Sequence, residues 1–130
     1  MKVELCDPLL LKHIEGFSKK RVAWLQKKII SEWVWVKPLA LDLNHYLVLD
    51  GQHRMEVALS LGLKKVPVAY FDYATVSLRT LRPQYQFDWK EVTRRAIAGD
   101  IYPYKTVKHD FVEPLPACRY TLEELGYERK

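Results

Sequence analysis

The segment that most restricts the fold runs from Tyr46 to Phe71. Tyr46-Leu47-Val48-Leu49 is an apolar run of strand length, which predicts a largely buried strand. Asp50-Gly51 breaks it, and Gln52 to Leu61 then places Met55, Ala58 and Leu59 on one helical face. Gly62 stands where a left-handed residue ends a helix. Val66-Pro67-Val68-Ala69-Tyr70-Phe71 reads as the next strand, with Pro67 near its start. A buried strand, a glycine turn, a helix and a second strand thus follow one another with little room for long loops.

The flanking sequence continues this interleaving. Ser18 predicts an N-cap for a helix from Lys19 to about Ser31, with Val22, Leu25 and Ile29 inward and Lys19, Lys20, Lys27 and Lys28 in water. Leu39 to Leu43 reads as a strand that reaches the Tyr46 strand through a tight turn at Asn44-His45, because Asn tolerates positive φ. Asp88 and Glu91 form a capping box for a helix to about Ala98, closed by Gly99. Thr121 and Glu124 form another, predicting a short helix that ends at Gly126. The expected class is α/β (α+β), a small mixed sheet with flanking helices.

With 130 residues, 48% of them hydrophobic, the chain has material for one buried core and is read as a single domain, 1–130. Its apolar runs are far shorter than the ~20 residues of a membrane helix, and Met1-Lys2-Val3-Glu4 opens no signal-peptide run. Cys6 and Cys118 lack CxxC spacing, which argues against a cysteine-built zinc site and suits a reduced compartment; a cytoplasmic protein without membrane partners is expected. The 21 basic residues exceed the 16 acidic ones by five, so a phosphate or polyanion ligand has to be considered.

Leu49-Asp50-Gly51-Gln52-His53-Arg54 gives that ligand a place. A helix that starts after a glycine turn offers free backbone N–H groups and the positive end of its dipole. Gly51 has no Cβ to keep a ligand away, Arg54 carries a donor fork suited to phosphate, and His53 adds another donor. Two basic side chains in a first turn run against the dipole unless an anion joins them. Asp50 is the odd member: it can hold Mg²⁺ between itself and phosphate, accept a proton, or bind a ribose hydroxyl.

These residues resemble the ParB/sulfiredoxin superfamily from Ser18 to Phe71, through KPLALDL, a strand ending in D-G-Q-H-R, the L-G-L helix end and VPVAYFD. The corresponding loop of that superfamily binds nucleotide phosphates. Sulfiredoxins carry a reactive cysteine before the His-Arg pair, where this chain has Gln52. ParB partition proteins continue into a helix-turn-helix domain, whose pattern is absent here. The free-serine kinases, with D-G-H-H-R, match best, and the loop departs from theirs at one position, Gln52. Glu15, just before the first helix, falls where those kinases hold a catalytic glutamate. Lys105-Thr106-Val107-Lys108-His109 resembles their K-T-x-x-H segment.

The resemblance implies a small-molecule kinase that moves a phosphoryl group from ATP or ADP to free serine or a serine-like metabolite, with Mg²⁺. It implies Glu15 as the base on the acceptor hydroxyl and Asp50 as metal holder or orienting group. Gly51, Gln52, His53 and Arg54 would hold nucleotide phosphates; Lys105, Thr106 and His109 would bind the transferred phosphate or an amino-acid carboxylate. The competing expectation is a ParB-like nucleotide-binding module associated with DNA, without phosphotransfer. His13 and His45 have no metal-ligand spacing and read as satisfied surface or turn histidines. Trp33 and Trp35 alternate with Val34 and Val36, which burial explains more simply than base stacking.

Overall fold

The computed structural model describes residues 1–129. Its strands are β1 (Glu4–Cys6), β2 (Val34–Trp35), β3 (Leu39–Asp42), β4 (Val48–Asp50), β5 (Val66–Phe71), β6 (Ser77–Thr80), β7 (Val107–Asp110) and β8 (Tyr120–Thr121). Its helices are α1 (Lys19–Glu32), α2 (Gln52–Ser60) and α3 (Trp89–Ala98). The main sheet is mixed, in the order β1-β5-β3-β4. β3 and β5 are parallel, Leu39 opposite Val68 and Asp42 opposite Phe71, with β4 and α2 forming the crossover between them. β1 and β4 add antiparallel edges. β2 pairs with β8, and β6 with β7, as two small ribbons. Among the described residues no helix is long and apolar enough to cross a membrane.

Both faces of the sheet are covered, which is why its central strands read as continuous apolar runs. Side chains alternate across a strand. Leu39, Leu41, Val66 and Val68 therefore join one core with Ile29, Trp35 and Val57, while Ala40, Ala69 and Phe71 join another with Val92, Tyr102 and Val107. The alternation places α1 and α2 on one side and α3 with β7 on the other.

The local signals mostly hold. Ser18 caps α1, its Oγ accepting the Arg21 N–H, and Ile29 is buried while Val22 and Leu25 pack at its margin. Asp88 caps α3, and Gly99 ends it at φ 77°. Gly62 ends α2 at φ 66°. Two expectations are corrected. The left-handed residue of the β3–β4 turn is Tyr46 (φ 58°), not Asn44. The buried Asp42 carboxylate organises that turn by accepting the N–H groups of Leu47, His45 and Asn44 at 2.7, 3.1 and 3.3 Å. The second correction is at Thr121. It and Glu124 make both bonds of a capping box, but Thr121 belongs to β8 and only a turn follows before Gly126.

Candidate active site

β4 delivers the chain to Asp50, and Gly51 turns it into α2 at φ 114°. Glycine is required there on two counts. The angle is one that L side chains avoid, and a Cβ would lie 2.5 Å from the buried Leu39 side chain. Among the described residues no side chain caps α2, and its first intrahelical bond is Met55 N–H to the Gly51 carbonyl. The amides of Gln52, His53 and Arg54 are thus the free donors of the first turn.

The helix start opens on a cleft of about 580 Å³. One wall is Asp50 to Arg54. Glu15, Leu49, Val107, His109 and Phe111 line one side, and Arg21, Leu25, Lys28, Ile29, Glu32 and Val34 to Lys37 line the other. Glu15 and His109, far from Asp50 along the chain, are therefore brought to the same cleft as the D-G-Q-H-R turn. The α1–β2 wall is the part that the sequence reading missed. Lys28, expected only in water, pairs with Glu32 at 2.9 Å on the cleft margin, and Trp35 is buried with its Nε1–H donating to the Lys37 carbonyl.

Glu15 is 8% exposed. Its segment is tied to the loop before β7 through Gly16 N–H to the Tyr102 carbonyl and Tyr102 N–H to the Ile14 carbonyl. That loop bends through Lys105 in the left-handed region and directs successive amides at the Glu15 carboxylate. Lys105 and Thr106 donate to Oε2 at 2.7 and 3.4 Å, and Val107 to Oε1 at 3.1 Å. Burial pushes the Glu15 carboxyl above its ordinary range, and these three N–H groups pull it back. Lys105 and Thr106 thus meet Glu15 through their backbones. The Lys105 ammonium lies 5.4 Å from the Tyr104 ring centre, and the buried Thr106 hydroxyl donates to the Pro103 carbonyl; neither side chain lines the cleft.

His53 is fixed from behind. The Ser18 N–H donates to its Nε2 at 3.1 Å, so Nε2 must be bare and the ring's proton sits on Nδ1. Burial, then Arg21, His13 and Arg54, lower its affinity for a second proton. The Arg54 side chain is only 13% exposed, yet its contacts are weak: the Lys37 carbonyl at 3.3 Å and the Asp50 carboxylate at 3.9 Å. Most of its donor capacity is unused. The Gln52 side chain is engaged elsewhere, donating to the Val48 carbonyl and meeting His13, which leaves its backbone N–H for the cleft.

His109 is 7% exposed. Its Nε2 meets the Tyr73 hydroxyl at 2.9 Å, while Nδ1 has no partner among the described residues. Burial holds this imidazole down to about 4, against the pull of the Asp50 carboxylate. Asp50 itself is half exposed between Lys37 (3.8 Å) and Arg54. Among the described residues no group of three His, Cys, Asp or Glu side chains gathers to hold a metal. Asp50 would be one protein ligand for Mg²⁺, an ion that commonly takes one or two carboxylates and completes its shell with phosphate and water.

No protein-family model matches the chain. It is 39% identical over 80 residues, 57% of its length, to an ATP-dependent L-serine kinase of Staphylothermus marinus, of which the match covers 31%. A ParB-like protein of Sulfolobus acidocaldarius is 47% identical over 36 residues, 28% of this chain and 18% of that protein. The matched region thus spans less than a third of either relative. Among solved structures, a free serine kinase in complex with AMP superposes with a TM-score of 0.87 at 14% identity, over 95% of this chain and 93% of that one. A variant of a free serine kinase in complex with ADP gives 0.87 at 13% identity, over 96% and 94%. The resemblance drawn from the sequence is borne out, and the fold is that of the ParB-like serine kinases.

Proposed function

We propose that the chain is a nucleotide-dependent phosphotransferase acting on free serine or a serine-like hydroxyl metabolite, with ATP or ADP as donor. The observation that carries this reading is one cleft holding an uncapped helix start and, opposite it, a buried carboxylate. Phosphoryl transfer asks a protein mainly to neutralise charge and to orient a nucleophile. The free amides of Gln52, His53 and Arg54, the Nδ1–H of His53 and the under-used Arg54 fork are donors for phosphate oxygens. Mg²⁺, held by Asp50 with phosphate and water, would supply further charge neutralisation. Glu15 is raised by burial and stays anchored by three amides, which suits a carboxylate that takes a proton from an acceptor hydroxyl without moving. His109, neutral and with Nδ1 unpartnered, offers a hydrogen bond to the acceptor or the transferred group.

Phosphorus-31 NMR of ATP or ADP with serine and the protein tests the proposal. Phosphoserine should accumulate with the wild type and fall by at least about a hundredfold with Glu15→Gln. Saturated nucleotide binding without phosphoserine would remove serine as the acceptor. Undiminished turnover by Glu15→Gln would remove Glu15 as the base.

A further inference from the structure

The Val48 carbonyl faces the Gln52 side chain, and a carbonyl only accepts. Gln52 therefore turns its NH₂ toward Val48 and its Oε1 toward Nδ1 of His13. Across the ring, Nε2 of His13 lies 2.7 Å from the Glu56 carboxylate, which also only accepts. Both ring nitrogens thus face acceptors, and both contacts are hydrogen bonds only when both nitrogens carry protons. Phe17 stacks on the ring, centroids 5.0 Å apart, and meets His53 edge-on at 6.4 Å.

His13 stands two residues before Glu15, while both of its polar partners are on α2. With the Ser18 N–H bond to His53 and the Phe17 contact with His53, it links the segment that carries Glu15 to the first turn that carries the free amides. We propose that His13, as an imidazolium, is the positioning residue that holds Glu15 in register with the α2 N-terminus. This rests on the reading of Gly51 to Arg54 as a phosphate site. The charged and titratable groups facing His13 are Glu56, 2.7 Å from its Nε2, and His53. Lys12 and Glu15 flank it on its own segment. The neutral state of His53 complements the charge on His13, because the Ser18 N–H requires a bare Nε2.

The test begins with nitrogen-15 spectra of the histidines in the ligand-free full chain. Both ring nitrogens of His13 should carry protons in these spectra, because each faces an acceptor. The affinity for ADP is measured by calorimetry. Glu56→Gln keeps an acceptor but removes the charge, and should bind ADP more weakly than the wild type. His13→Phe keeps the stack on Phe17 and should bind ADP about tenfold more weakly. A bare ring nitrogen on His13 in those spectra would overturn the proposal. So would a folded His13→Phe chain with wild-type affinity. Failure of the wild type to bind ADP at all would instead defeat the phosphate-site reading, and the spectra alone would then decide the charge on His13.

Discussion

The backbone N–H of Ser18 lies 3.1 Å from Nε2 of His53, so the residue that caps α1 also sets the tautomer of a side chain on α2. One donor with no alternative role decides which edge of the imidazole faces the cleft. Substitutions at His53 should separate the two edges. An asparagine amide reaches about as far as Nδ1, and a glutamine amide about as far as Nε2. His53→Asn should therefore keep most of the nucleotide affinity, while His53→Gln satisfies Ser18 and loses the donor. The expected loss for His53→Gln is about 10- to 100-fold in Kd by calorimetry, the range for a hydrogen bond to a charged group. Equal affinity for the two variants would show that Nδ1 contributes nothing.

Gly51 should be intolerant of even one carbon. Alanine at φ 114° is strained, and its Cβ would press on Leu39, a fully buried core side chain. Strain and displacement together should cost about 2–4 kcal/mol, lowering Tm by roughly 10 °C in a chain of this size. Thermal unfolding followed by circular dichroism measures it. A Gly51→Ala chain with unchanged Tm would mean that the turn relaxes freely.

What the sequence made legible was the part decided by near neighbours. Ser18, Asp88, Gly62 and Gly99 mark helix ends through bonds made within a few residues, and the alternation of Leu39, Ala40 and Leu41 reports two covered faces. The Asp50 to Arg54 turn was legible for the same reason. The misreadings lie where distant segments decide. Thr121 forms its capping box yet stays extended, because pairing with Val34 places it in a strand. Lys105 and Thr106 are polar by composition, but their amides turn toward Glu15, ninety residues away, and their side chains turn elsewhere. The α1–β2 wall is a product of packing, and only the alternation of Trp33 and Trp35 with valine hinted at it.

His109 should make the fold acid-sensitive above the range where carboxylates titrate. Its folded-state pKa is depressed from 6.5 to about 4, so the unfolded chain takes up the proton first. The associated stability is present above pH 6.5 and is lost progressively as the pH falls toward about 4. The shift corresponds to about 3 kcal/mol at most. Urea unfolding at a series of pH values should show this decline in the wild type. His109→Gln, which leaves an amide near the Tyr73 hydroxyl but does not titrate, should show less of it. Comparing the two chains cancels the carboxylates they share. Parallel pH profiles would remove His109 as the source.

Arg54 should reveal a conflict between stability and binding. Its guanidinium is largely removed from water, burial pulls its proton affinity down, and Asp50 answers only weakly from 3.9 Å. Replacing a buried, poorly paired charge with an apolar side chain of similar length is often neutral or stabilising. Arg54→Met should therefore leave Tm unchanged or raise it. The same change removes the donor fork from the proposed phosphate site and should weaken ADP binding by about 10- to 100-fold. Lysine restores a charge but not a planar pair of donors, so Arg54→Lys should recover part of the affinity at most. Loss of both stability and binding in Arg54→Met would mark the residue as structural. Binding that falls while Tm holds would mark an arginine kept in the fold for its ligand.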